Sequence, residues 1–461
     1  MIDISADRAG EHVAGQGDPH RLISGQIQER DEHGEMTVAV LMPAKPVPRP
    51  APIPPTLQSA FHLSDAATLT ITQYSFIATA LGSLVQVFTG HQRAIMEGPT
   101  GLWWATILGI AVAEASFGTS AGVTGANLAI GIACAGLITL VIGFTGAGAR
   151  IARIFNPAVM AVFMFMIGAQ LVSIFLKGML GLPFGIMPPD ATVNYPVFFL
   201  ALATLILVLG VIVYAPVSVA KYALLIGVLL GWGAYVLLFS PPGRDVASAS
   251  WEFLPLGSTD GFEFRWGVII TCILTGLLNI SNTFGAIRST DVFYMDKLQE
   301  NNVLFRRSFI VTGSVTLLTA PLAVVPFAPF VSSVGLITQT NDSSRTSLVV
   351  GSVLFLLMGL IPPVTLFFSG LPLAIGSAVM LATYLPLMFS SLAFVDKISL
   401  NARNIYRLAI PLFVGIFLIN PPAVFISDLP VLLRPMLGNG MLVAILLAVL
   451  SESLVRWDKV K

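Results

Sequence analysis

From about residue 65 onward the chain alternates long apolar runs with short polar breaks. A membrane helix needs roughly 20 predominantly apolar residues. Runs that approach this length fall near 66–90, 97–116, 127–148, 157–176, 194–214, 220–239, 264–285 and 308–329. They continue near 330–344, 347–368, 371–391, 404–421 and 438–455. The pattern predicts thirteen spans and an all-α polytopic membrane fold.

The runs at 97–116 and 330–344 are short, and the basic residues test whether they cross. Short cytoplasmic loops are enriched in Lys and Arg. With the Arg93 loop inside and strict alternation from there, fifteen Lys and Arg fall inside, against Lys177, Arg244, Arg265 and Arg434 outside. The asymmetry holds only if both short runs are crossings. The same alternation sends residues 1–55 outside, although they carry Arg8, Arg21, Arg30, Lys45 and Arg49 and only the short apolar run Met36–Pro43. This Pro- and charge-rich tail reads as disordered and lacks the apolar region of a signal peptide. It resembles translation in a shifted frame more than a folded segment.

Composition narrows the function. The 461 residues are 55% hydrophobic and only 10% charged, with a mean hydropathy of +0.86. A soluble globule of this composition would expose large apolar patches, so the lipid bilayer is the expected partner. Twenty-four basic and twenty-four acidic residues cancel, leaving no field to recruit nucleic acid. Cys134 and Cys272 lie inside apolar runs and the five histidines all precede residue 92, so neither a metal cage nor a disulfide framework is expected. There is no Gly-Lys-Ser/Thr phosphate cradle and no Ser/His/Asp cluster within the spans, which argues against an ATP-driven pump and against an enzyme. No cofactor is implied.

Two stretches of the chain look alike. Glu97-Gly98-Pro99-Thr100-Gly101-Leu102-Trp103-Trp104 opens one short run with Pro and Gly, and Pro326-Phe327-Ala328-Pro329-Phe330-Val331-Ser332-Ser333-Val334-Gly335 does the same about 230 residues later. Each is followed by a Gly-studded run (Gly131–Gly148, Gly351–Leu366) and then by a Pro-started one (Asn156-Pro157, Leu371-Pro372). An offset of seven spans places the repeats in opposite orientation, as in transporters built from inverted halves. Non-helical backbone at membrane depth is tolerated only where it is buried in protein or lines a cavity. A helix that starts there turns its positive end into the site.

These residues resemble the nucleobase–ascorbate transporters, also called nucleobase:cation symporter 2, over about residues 52–458. The runs His91–Trp104, Asn279–Phe293 and Val331–Thr340 are most similar to a subgroup of purine permeases. The resemblance implies a seven-plus-seven inverted-repeat fold with short strands in interrupted spans three and ten, and a first span that is missing here. It implies a core domain of 56–150 and 264–368, a gate domain of 151–263 and 369–461, residence in the cell's inner or plasma membrane and, as in many members, a homodimer. It also implies secondary transport of a purine-type nucleobase, coupled to protons, by movement of core against gate.

The site carries over residue by residue. Asn282 stands where the family has a glutamate in a Glu-x-x-Gly pattern, and Ser332 where it has one in Glu-Asn-x-Gly. The substrate-binding candidates are Asn282, Ser332, Ser333, Thr100, Gly101, Trp103 and Asn279. With both signature carboxylates absent, Glu97 and Glu114 are the candidates for carrying the coupling proton, since an ionisable group within the membrane is by default functional. Against these stand plainer roles: Glu97 pairing with Arg93, Glu114 as a loop-proximal carboxylate, Trp103 and Trp104 as packing residues. Gln170, deep in span five, reads either as an interhelical hydrogen bond or as a contact to substrate. Two other readings stay open. One is a sulfate-type anion carrier using Ser332, Ser333 and two helix N-termini; the other is a non-functional chain lacking its first span.

Overall fold

The computed structural model describes residues 57–58, 60–115, 117–182, 192–239, 262–294, 301–333, 336–337, 342–399, 401–419, 425, 428–430, 432–455 and 457. The tail expected to be disordered lies outside these residues. Helices begin where the sequence offers a cap. Ser64 Oγ accepts from Ala67 N at the start of α1 (Asp65–Phe88), and Ser120 Oγ accepts from Val123 N ahead of α3 (Ala121–Thr145). Asn156 caps α4 (Pro157–Met179), whose first residue is proline, a position where the missing N–H costs nothing. Between α1 and α3 lie the strand β1 (Glu97–Pro99) and α2 (Gly101–Ala115).

Further along come α5 (Tyr195–Tyr214), α6 (Ala223–Phe239), α7 (Trp266–Thr290) and α8 (Asn301–Thr319), then the strand β2 (Phe327–Pro329). The chain continues with α9 (Arg345–Leu360), α10 (Pro362–Ser369), α11 (Leu373–Tyr384), α12 (Pro386–Val395), α13 (Ala402–Phe417) and α14 (Gly440–Leu454). Six of the described helices, or seven if one bent pair counts as a single span, are long and apolar enough to cross a membrane. Most of the sequence runs match these elements to within several residues, with three corrections, and the run at 330–344 lies partly outside the described residues. The run at 308–329 is not one helix: α8 starts earlier, at Asn301, and ends at Thr319, and the far end of the run is the strand β2. The run at 347–368 is not one straight helix: α9 and α10 meet at 98°. Ile361 is extended there (φ −103°, ψ 98°), and Pro362-Pro363 can donate no backbone hydrogen bond to continue the ladder. The run at 371–391 likewise divides into α11 and α12 at Leu385.

The two interrupted runs meet. β1 and β2 form a two-stranded antiparallel sheet with Glu97 opposite Pro329, Gly98 opposite Ala328 and Pro99 opposite Phe327. All six residues are buried, and pairing satisfies backbone groups that would otherwise be stranded within the apolar interior. Around the sheet, α3 packs on α7 and α8, and α1 packs on α9. The α3–α8 contact is backbone to backbone. A Cβ on Gly136 would lie 2.8 Å from Leu317 N, and one on Gly313 would lie 2.6 Å from Leu140 N. Small residues are what allow membrane helices this close, because lipid supplies no hydrophobic drive between them. Elsewhere, α4 packs on α11, α12 and α14, and α5 on α6 and α11.

Candidate functional site

One amide ties the sheet to α7. Asn279, 6% exposed in the middle of α7, donates from Nδ2 to the carbonyl of Phe327 on β2 at 2.9 Å. A carbonyl can only accept, which fixes the amide's orientation. Its Oδ1 is therefore turned to two donors, Thr100 Oγ1 at 3.0 Å and Asn282 Nδ2 at 2.9 Å. Thr100 links β1 to α2, and its own N–H reaches Pro326 O at 3.1 Å. Asn279 thus holds both interrupted runs and Asn282 in one hydrogen-bonded unit. Asn282 makes a single bond, leaving one amide hydrogen and Oδ1 without a protein partner among the described residues.

The sequence candidates fall into three places. Thr100, Asn279 and Asn282 come together as described, and Gly101 opens α2 beside them. Ser333 lies on the far side of β1, where Oγ accepts from Met96 N at 3.3 Å; Ser332 is half-buried, and its carbonyl accepts from Leu336 N. Trp103 faces inward and packs near Gly276, while the neighbouring Trp104 turns its ring to Phe175 on α4, with centroids 6.0 Å apart. Leu171 of α4 covers Gly101 so closely that a Cβ there would meet Leu171 Cδ1 at 2.8 Å. The Phe330 ring lies on Gly98 in the same way, 2.7 Å from where a Cβ would stand. Gln170 forms no interhelical bond through its oxygen: Oε1 is buried without a partner.

The two carboxylate candidates have opposite settings. Glu97 is fully buried behind β1, away from Arg93. Its Oε1 accepts from Thr312 Oγ1 at 2.7 Å and its Oε2 from Gln86 Nε2 at 2.9 Å, while its backbone N–H donates to Ser83 Oγ at 3.0 Å. Every partner is neutral. Glu114 sits at the opposite end of α2, accepting from Thr119 Oγ1 at 2.9 Å and lying 3.9 Å from Arg265 Nε. Arg93, the alternative partner for Glu97, is spent elsewhere. It bonds Ile287 O and Thr290 Oγ1 and pairs with Asp291 at 2.8 Å.

Sequence reasoning missed Gln86, Thr312 and Ser83. Gln86 is 11 residues from Glu97 in sequence and Thr312 is 215 away, and the side-chain pattern on α8 marks Thr312 no differently from its other threonines. Thr312 also lines a small internal cavity with Trp103, Thr139, Asn279, Thr283 and Thr316, with room for about one water molecule.

Comparisons with known proteins bear on the family and the fold. The sequence model described as a permease family matches residues 52–424. The chain is 24% identical to YwdJ of Bacillus subtilis (strain 168), covering 89% of this chain and 93% of that one. It is 23% identical to the uric acid transporter UacT of Escherichia coli (strain K12), over 71% and 66% of the two chains. To the xanthine permease XanQ of the same organism it is 21% identical, over 87% and 88%. Among solved structures, the transmembrane domain of a cyanobacterium bicarbonate transporter, BicA, aligns with a TM-score of 0.52 at 15% identity, over 88% of this chain and 97% of that one. Murine Slc26a9, an anion transporter in the inward-facing state, aligns with a TM-score of 0.51 at 12% identity, over 95% and 77%. These structures speak to the fold alone.

Proposed function

The chain belongs to the xanthine/uracil permease family, and we propose that it carries a purine-type nucleobase across the cytoplasmic membrane by secondary, proton-coupled transport. The observation that carries the reading is the oriented amide of Asn282 at the crossing of the two interrupted spans. One free N–H beside one free acceptor matches the N–H/C=O edge of an oxopurine, which a carboxylate, an acceptor only, would meet differently. Relatives named for uric acid and xanthine support the substrate class. Thr100 and Asn279 set the geometry, Gly101 opens α2, and Ser332 and Ser333 follow β2. Trp103 backs the site from within.

Glu97 is the coupling group in this reading. A carboxylate buried among neutral partners is costly, since no fixed cation compensates it among the described residues. That cost suits a group that takes up and releases a proton during the cycle. Glu114, held near Arg265 far along α2, serves the fold. The alternation of access has the body 56–150 with 264–368 moving against 151–263 with 369–461. In support, α1, α3, α7, α8 and α9 pack mainly on one another, and α4, α5, α6, α11, α12, α13 and α14 do likewise. The test is uptake of radiolabelled xanthine, urate and uracil by the full chain in proteoliposomes, with and without an uncoupler and with unlabelled sulfate as competitor. Uncoupler-sensitive purine uptake that sulfate leaves untouched is expected. Competition by sulfate without purine uptake would replace this reading with an anion carrier.

A further inference from the structure

Behind the substrate amides the same residues that hold Glu97 border a second polar site. The internal cavity has room for about one water, and such a site holds a water stably only when two to four polar groups converge on it. Here several polar residues line it. Thr283 and Thr316 are among them, and their hydroxyls bond to no protein atom among the described residues. Asn279 lines it too and has one Nδ2 hydrogen beyond the one given to Phe327. Thr312 completes the wall, and its Oγ1 is the donor to Glu97 Oε1.

We propose that this cavity binds a structural water that links the substrate amides to Glu97, with Thr312 as the positioning residue that couples the two. The chain of contacts runs Asn282, Asn279, water, Thr312, Glu97. With the carboxyl ionised, the Thr312 hydroxyl donates to it and the water donates to Thr312. When a proton arrives on Glu97, that O–H donates to Thr312, the Thr312 hydrogen turns to the water, and the water oxygen has one lone pair fewer for Asn279. Since Asn279 orients Asn282, the protonation state of Glu97 reaches the substrate edge without a moving backbone. By linkage, substrate must shift the protonation of Glu97 by the same factor.

The surroundings leave Glu97 as the group that responds. On α1 it meets Ser83 and Gln86, on α8 Thr312, with the Ser308 carbonyl bonded to the same Gln86 amide, and across the sheet Pro329. The loop before β1 brings His91, whose N–H bonds Gln86 Oε1, and Arg93, which is bound to Ile287, Thr290 and Asp291. Burial and the neighbouring Arg93 push the His91 imidazole down to about 3, so it stays neutral across physiological pH.

This inference rests on the proton-coupled purine reading, and the experiment separates the two. Tritiated xanthine and urate binding is measured on the purified full-length protein at pH 6 and pH 8. The wild type is expected to bind more tightly at pH 6, by about fivefold or more. In Thr312→Val, which keeps shape and loses the hydroxyl, the ratio of the two affinities is expected to fall to about one, and Thr312→Ser is expected to restore it. Thr283→Val, which touches the water but not Glu97, is expected to reduce the ratio as well. A wild-type ratio in both valine variants, with monodisperse protein, overturns the water link and leaves proton coupling standing. A wild type that binds purine with no pH dependence removes the coupling and this proposal together. A wild type that binds no purine removes the underlying reading.

Discussion

Asn279 and Asn282 are three residues apart on α7, yet they should fail in different ways when truncated. Asn279 makes three hydrogen bonds, to Phe327 O, Thr100 Oγ1 and Asn282 Nδ2. At about 1 kcal/mol net for each, Asn279→Ala removes about 3 kcal/mol and leaves the Phe327 carbonyl buried without its partner, which adds about 1–3 kcal/mol. Asn282 makes one bond to protein, so Asn282→Ala costs the fold about 1 kcal/mol. Its contribution to substrate is larger: loss of a paired donor and acceptor on a base edge should weaken xanthine binding by about 10- to 100-fold, taking 1.4 kcal/mol as tenfold. The assay pairs thermal unfolding of detergent-purified variants with equilibrium xanthine binding. Asn279→Ala is expected to lose both stability and affinity, Asn282→Ala affinity alone. The double variant should bind no worse than Asn279→Ala, because the two residues act as a unit. An Asn282→Ala protein that is as unstable as Asn279→Ala and binds xanthine normally would refute the division into hub and reader.

Other consequences are local. Gly98→Val should abolish uptake, because its Cβ would meet the Phe330 ring at 2.7 Å, and adding Phe330→Ala should recover part of it in the same uptake assay. Arg93→Ala should cut the yield of folded protein sharply. It strips an arginine that is 3% exposed from Ile287 O, Thr290 and Asp291, and breaking a buried charged network costs about 3–5 kcal/mol. Size-exclusion profiles of tagged protein would register it, and an unchanged profile would mean the loop before β1 is held by other contacts. Gly313→Val should separate α3 from α8, its Cβ falling 2.6 Å from Leu140 N, and should lower the unfolding midpoint more than Gly233→Val, where the added Cβ has open space around it.

Much of this was legible in one dimension. Apolar runs of spanning length located the helices, because the bilayer imposes that pattern on any chain, while the caps Ser64, Ser120 and Asn156, which satisfy the unpaired N–H groups of the first turns, came from the structure. Pro and Gly at 98–101 and 326–329 marked both interruptions, since proline cannot continue a ladder of backbone bonds. Glu97 stood out because ionisable groups within the membrane are rare, and Asn282 because it takes the place of a glutamate in the family that these residues resemble. What the tertiary structure alone decided was which polar groups meet. Glu97 turned from the nearby Arg93 to Gln86 and to Thr312, 215 residues away, and Asn279 proved to be the hub on which Asn282 depends. The bend between α9 and α10 and the inward face of Trp103 belong to the same class. Periodicity along a chain is local and set by the solvent that each segment meets. A hydrogen bond between distant side chains is set by the folding of the whole, so the site's wiring, unlike its ingredients, had to be seen in three dimensions.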